Sequence, residues 1–332
     1  MSFEEKKVLV VGTGKSGVAA TGLLLKEKVQ TVLFDADKEL DTKEFFEKNP
    51  SLNGVSLILG DLSDEQIKQF DIAVLSPGVP TDIPMVNRLR DAGVKIWGEI
   101  ELAYAFGKGR IIAITGTNGK TTTTALTGEI MADHYDDVRV VGNIGIPYTS
   151  MVQGTTEETV TVAEISSFQL ETIHEFKPHV SAILNITPDH LNRHHTMENY
   201  IKAKEDITKN QTADDFCVLN YEDEVLRNFA EKCPAKVIFF SSRRVLDEGF
   251  YLDGEEIMYA HDNKTDRVIN VNDLNLLGRH NYENVMAACA MSVSIGVPMD
   301  KIVEVLKTFK AVEHRIEYVT EKRGVRFYND SK

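Results

Sequence analysis

Cysteine is scarce in this chain: Cys217, Cys233 and Cys289 are its only three, widely spaced and without a C-x-x-C pair. That spacing argues against a disulfide framework and a structural zinc site, and fits a reducing compartment. Positive charge is also in short supply, with 37 lysines and arginines against 51 aspartates and glutamates, a net charge of −14. Such an acidic balance repels nucleic-acid backbones and anionic membranes, so neither is an expected partner. No apolar run approaches the ~20 residues of a membrane span. Met1 to Lys7 lead directly into a short strand pattern, without the apolar region of a signal peptide. A cytoplasmic protein is expected. What remains is ordinary globular composition, 42% hydrophobic and 27% charged over 332 residues, enough chain for two domains with real cores.

Short β-branched runs alternate with helical patterns. Val8 to Val11, Thr31 to Phe34, Ser56 to Leu59 and Ile72 to Leu75 form one series. A second begins at Arg110 to Ile114 and continues through Val138 to Val141, Thr159 to Ala163 and Val180 to Ile186. Alternation of this kind predicts parallel β/α units, here two successive sheets with a hinge over Trp97 to Lys108. The expected fold class is α/β, a Rossmann-like domain over 1–98 followed by a P-loop ATPase-like parallel-sheet domain over 99–311.

Gly12-Thr13-Gly14-Lys15-Ser16-Gly17 follows a strand and opens a helix, and Asp35 ends the next strand, which matches the G-x-G-x-x-G fingerprint. Such loops bind many phosphorylated ligands besides dinucleotides. The second glycine loop is more decisive. Thr115-Gly116-Thr117-Asn118-Gly119-Lys120-Thr121-Thr122 lies between a strand and a helix, so its amides face an anion, Lys120 can reach β/γ-phosphates and Thr121 can ligate Mg²⁺. Ile114 stands where the strict P-loop pattern has its first glycine. A dehydrogenase has no use for this second loop. The pair favours an ATP-driven enzyme acting on a phosphorylated or nucleotide-linked substrate, ahead of a nucleotide-dependent oxidoreductase or a non-catalytic binder of such a ligand.

Three further residues carry chemistry. Period-two alternation puts Glu164 at the C-terminal end of an otherwise apolar strand, where ligands collect in open α/β sheets and a carboxylate suits Mg²⁺. His190 follows a second strand in the same way. Met197 to Lys209 reads as a helix in which Lys204 shares the apolar face with Tyr200, Ile201 and Ile207. A lysine there either snorkels or is desolvated with a lowered pKa.

Ordered along the whole chain, these loops together with Ser76-Pro77-Gly78-Val79, Asn143-Ile144-Gly145, Glu164 to Leu170, Asn185 to His194, Gly278 to Asn281, His314-Arg315 and Asn329 to Lys332 resemble the Mur ligase family, and within it the glutamate-adding branch. The resemblance implies an amide ligase of peptidoglycan precursor synthesis. ATP phosphorylates the terminal carboxylate of UDP-N-acetylmuramoyl-L-alanine, and the amine of D-glutamate displaces phosphate from the acyl phosphate. It further implies that Gly116 to Thr122, with Lys120 catalytic, hold ATP, near Asn281, Asn284, Arg315, Asp330 and Lys332. Thr121, Glu164, His190 and a carbamylated Lys204 would serve two Mg²⁺ sites. Gly14, Lys15, Ser16, Gly17, Asp35, Ser76, Pro77, Gly78, Asn143, Ser166 and Gln169 would bind the UDP-sugar. Asparagine at 192 departs from the family's usual aspartate. The family's members run on for roughly a hundred residues past this match, so 312–332 reads as a stub of a third, amino-acid-binding domain. Substrate binding without ligation, by a monomer, is then expected of this chain.

Overall fold

The structure, a computed structural model, describes residues 3–143 and 145–310, and the backbone of two paired strands at Glu317–Lys322 and Val325–Asn329. The chain divides into two compact units. The first comprises Met1–Lys108, Val141–Thr156 and Ser167–Phe176, and the second comprises Gly109–Val140, Glu157–Ser166 and Lys177–Lys332.

In the first unit, β1 (Lys7–Val11), β2 (Gln30–Asp35), β3 (Ser56–Leu59), β4 (Ile72–Leu75) and β5 (Lys95–Gly98) form an all-parallel sheet in the order β3-β2-β1-β4-β5. Leu9, Val11, Phe34, Leu75, Val86 and Leu89 belong to its core cluster. The strands read as near-continuous apolar runs because parallel sheets are covered on both faces. The winding direction reverses between β1 and β4. The crevice outside their carboxyl ends is therefore the place for a ligand, and Gly12 to Gly17 and Ser76 to Gly78 follow those two ends.

In the second unit, β6 (Arg110–Thr115), β7 (Val138–Gly142), β8 (Val160–Glu164), β9 (Val180–Ile183), β10 (Phe216–Asn220), β11 (Lys236–Ser241), β12 (Gly249–Asp253), β13 (Glu256–His261) and β14 (Lys264–Asn270) are ordered β14-β13-β12-β11-β10-β9-β6-β8-β7. Strands β8, β6, β9, β10, β11 and β12 run parallel, and β13 and β14 add antiparallel pairs at one edge. The last hairpin turns on Asp262 and Asn263, at φ 49° and 58°, which suits the two left-handed positions of a two-residue turn. Helices Lys120–His134 and Arg279–Ser294 pack into this unit's core, their Leu126, Ile130, Val285 and Met291 all fully buried. Direction reverses here beside β6, whose neighbours β8 and β9 lie on either side.

A phosphate loop and a glycine-loop pocket

Thr115, Glu164 and the Leu184–Asn185 pair come out at the carboxyl ends of three adjacent strands. The register sets Ile114 opposite Glu164 and Thr115 opposite Ile183. Glu164 is buried at that rim. From β6 the chain turns through Gly116 to Gly119 into the helix Lys120–His134, whose N-cap Gly119 offers no side chain to the first amides. Those amides are left to bind an anion, helped by the helix dipole. Gly119 sits at φ +85°, and a Cβ there would lie 2.4 Å from Oδ1 of Asn284. Only glycine satisfies both the backbone and the close approach.

The loop is held from three sides. Asn185 grips Asn118 twice: its Oδ1 accepts from the Asn118 amide at 2.8 Å and its Nδ2 donates to the Asn118 carbonyl at 3.0 Å. The Thr117 hydroxyl lies 3.0 Å from the Tyr200 hydroxyl, and the Thr187 amide donates to it at 3.0 Å. Asn284 Nδ2 donates to Asn281 Oδ1 at 3.2 Å, which fixes the side chain behind Gly119. Lys120 Nζ donates to the carbonyls of Gly116 and Thr117, both at 3.0 Å.

Lys204 reaches the same loop. The expected helix is α-helical over Met197–Glu205 and tightens into a 3-10 turn at Asp206–Thr208. Its Tyr200, Lys204 and Ile207 are all 2% exposed or less, so the lysine does not snorkel. Nζ donates to the Gly116 carbonyl at 2.8 Å and lies 4.8 Å from the Tyr200 ring centroid. Burial, then repulsion from Lys120, bring its pKa down to about 7 against a weaker opposing pull from Asp189. His190 is half-exposed in the left-handed region at φ 51°, with Nε2 3.5 Å from Asp189 Oδ2. Thr121 and Thr122 follow Lys120 in the first turn of the helix. Among the described residues no three His, Cys, Asp or Glu side chains converge as a preformed metal cage. Arg315, Asp330 and Lys332 lie outside the described residues.

The first unit contains a cavity of about 410 Å³ lined by Gly14, Lys15, Ser16, Ser76, Pro77, Gly78, Glu99, Asn143 and Gln169, among others. Gly17 lies behind it: a Cβ there would meet the Gly12 carbonyl oxygen at 1.8 Å, so the helix Lys15–Lys26 can pass close to the loop. Asp35 is committed within the loop, its Oδ2 accepting from the Thr13 amide at 2.9 Å and the Thr13 hydroxyl at 2.6 Å. Burial raises its pKa, but these bonds and those from the Asp37 and Ala36 amides prevail and hold the carboxyl below its ordinary value. Ser166 belongs to the second unit. A larger cavity of about 850 Å³ along the helix Lys15–Lys26 shares Gly14, Lys15 and Pro147 with the first. Tyr200, Thr187 and Glu99 carry no role in the sequence reading. Asn185 could have been found by the logic that found Glu164, a polar residue closing an apolar strand run.

Two α/β units, one with a glycine-loop pocket and one with a P-loop variant at its switch point, define a nucleotide-using enzyme. The Mur ligase middle-domain model matches residues 114–292 and the model of the Mur ligase MurD-like N-terminal domain matches 6–98. Over the full chain, identity is 58% to the UDP-N-acetylmuramoylalanine--D-glutamate ligase of Lachnoclostridium phytofermentans, 55% to that of Lachnospira eligens and 46% to that of Clostridioides difficile. The chain spans 73%, 74% and 73% of those proteins. A pseudomurein peptide ligase type C from Methanothermus fervidus shares the fold at TM-score 0.57 and 20% identity, covering 99% of this chain and 75% of that one. This chain belongs to the Mur ligase family. It is accordingly an ATP-dependent ligase.

Proposed function

We propose that the chain takes UDP-N-acetylmuramoyl-L-alanine in the glycine-loop pocket and ATP on the phosphate loop, for ligation of D-glutamate to the alanine carboxylate. The observation that carries this reading is the phosphate loop itself, with two lysines, Lys120 and Lys204, on its carbonyls. An alanine carboxylate oxygen attacks the γ-phosphorus and ADP leaves; the amine of D-glutamate then bonds the acyl carbon, the C–O bond to phosphate breaks, and inorganic phosphate departs while the amine's proton goes to solvent. Negative charge accumulates in the first step. Lys120 and the amides of Gly116 to Thr122 neutralise it, and preorganised donors of this kind are worth several kcal/mol of barrier, about 2.7–4 for one. Asn281 and Asn284 support the loop at Gly119, and Asn185 fixes its backbone at Asn118.

Mg²⁺ fits the donor set without a preformed cage, because it retains waters and phosphate oxygens and needs only one or two protein carboxylates. Thr121, Glu164, His190 and Lys204 would hold it at two sites, where it would offset phosphate charge. Lys204 would do so as a carbamate: the ammonium gives one proton to solvent, the neutral amine nitrogen bonds the CO₂ carbon, and the N–H proton displaced from nitrogen also leaves to solvent, so that a buried cation becomes an anion. In the pocket, Gly14 to Ser16, backed by Gly17, and Ser76 to Gly78 would face the uridine diphosphate, with Asn143 and Gln169 on the sugar peptide; Ser166, on the second unit, would also serve the sugar peptide. Asp35 supports this indirectly, since its engagement with Thr13 shapes the loop.

Calorimetric titration tests the reading. UDP-N-acetylmuramoyl-L-alanine and Mg·ATP are each expected to bind with one-site stoichiometry. Saturable binding of NADH in place of Mg·ATP would overturn it in favour of a redox enzyme.

A further inference from the structure

Two buried carboxylates stand two residues apart on the first turn of the helix Glu99–Phe106: Glu99 and Glu101 are 2% and 1% exposed. Neither belongs to the phosphate loop or to the phosphoryl-transfer step above; Glu99 also reaches the wall of the 410 Å³ cavity, and Glu101 does not line it. Glu99 Oε1 accepts from the Thr149 amide at 2.6 Å and the Thr149 hydroxyl at 2.7 Å, and the Tyr148 amide also donates to this carboxylate. Glu101 takes three successive amides: His174 at 2.8 Å and Phe176 at 3.1 Å on Oε2, and Glu175 at 2.7 Å on Oε1. Burying an acid costs several kcal/mol, and an apolar pair of similar volume would serve packing alone at least as well. What an apolar pair could not do is accept hydrogen bonds from the amides that open the short helix Tyr148–Met151 and from those of the loop at 174–176.

Those amides lie in the two segments that return to the first unit after the second has begun, 141–156 and 167–176. The first carries Asn143 and the second carries Gln169, both on the wall of the 410 Å³ cavity. We propose that Glu99 and Glu101 are positioning residues for this pocket, each carboxylate tying down one returning segment and so placing Asn143 and Gln169 where the UDP-sugar binds. The ligand's identity rests on the proposed function; the clamping does not. The helix dipole adds to it, because both acids sit in the first turn where negative charge is favoured. Burial raises the Glu99 pKa while the Thr149 and Tyr148 donors oppose the rise.

The test uses the full chain with Glu99→Leu, Glu99→Gln and Glu101→Leu, read by amide hydrogen exchange and by titration. Glu99→Leu is expected to speed exchange in peptides over 145–151 and Glu101→Leu over 172–177, each leaving the other segment and 120–134 unchanged. Both leucine variants should weaken UDP-N-acetylmuramoyl-L-alanine binding about tenfold, the scale of one or two buried bonds, with Mg·ATP affinity within about twofold. Glu99→Gln, whose amide oxygen can still accept from Thr149, should recover most of the loss. Uniformly faster exchange, or equal loss of both ligands, would show that the acids serve the fold at large and would overturn the proposal. So would unchanged exchange, or loosened segments with undiminished UDP-sugar affinity. Segment-specific exchange in a chain whose wild type ignores the UDP-sugar would support the clamps and sink the ligand assignment.

Discussion

Replacing Lys204 with methionine keeps the stem and removes the charge. The wild-type pKa of about 7 lies about 3.5 units below that of a solvated lysine, so the folded chain bears a cost near 5 kcal/mol whenever the ammonium is present. Below pH 7 that cost is paid in full. Between pH 7 and 10.5 the unfolded chain keeps a proton that the folded chain has released, so wild-type stability climbs with pH. Lys204→Met lacks this slope. In CO₂-free buffer its stability advantage over wild type should be larger at pH 6 than at pH 9 by roughly 2.5 kcal/mol, as the two proton-binding curves integrate over that interval. Urea unfolding at the two pH values measures it. The same shift leaves about half the Lys204 amines neutral at pH 7, against about one in 2,500 for a free lysine. At fixed dissolved ¹³CO₂, a carbamate carbon resonance should grow between pH 6 and 8 in wild type and be missing from Lys204→Met. A pH-independent stability difference would refute the desolvation argument, and a resonance that survives the substitution would refute the carbamate.

Lys120→Ala should weaken Mg·ATP binding by about tenfold or more while UDP-sugar affinity is unchanged in calorimetry, since the lysine stands on the phosphate loop and not in the glycine-loop pocket. Gly119→Ala drives a methyl into Asn284 and strains a left-handed residue, so Mg·ATP binding should be lost with the fold retained by circular dichroism. Tyr200→Phe removes the hydroxyl beside Thr117 and should cost about 1 kcal/mol of thermal stability together with a few-fold loss of Mg·ATP affinity.

Local periodicity carried much of this architecture. Parallel strands announce themselves as apolar runs, Glu164 as the polar end of one, and Lys204 as the odd residue on an apolar helical face; each is decided within a dozen residues. The clamps were not legible. Glu99 and its partner Thr149 are 50 residues apart, and Glu101 and His174 are 73 apart. In sequence both acids look like solvated charges at a helix start, and only tertiary pairing makes them buried. Asn185 was within reach as the polar end of an apolar run, but its contact was not, because its partner is the Asn118 backbone, which carries no side-chain signature.

The returning segments bear on how the chain folds as it is made. The first unit has all five strands by residue 98, yet two pieces of it follow only at 141–156 and 167–176. At about 5–20 residues per second, the 68 residues between 108 and 176 take roughly 3–14 s to synthesise. Through that interval the nascent first unit is a sheet with a half-built pocket, waiting on contacts of large sequence separation, the kind that slow folding and invite aggregation. Glu99 and Glu101 are made before the amides that satisfy them, so until those segments emerge the two carboxylates have only water for partners there, and charge of this kind opposes association of an unfinished face.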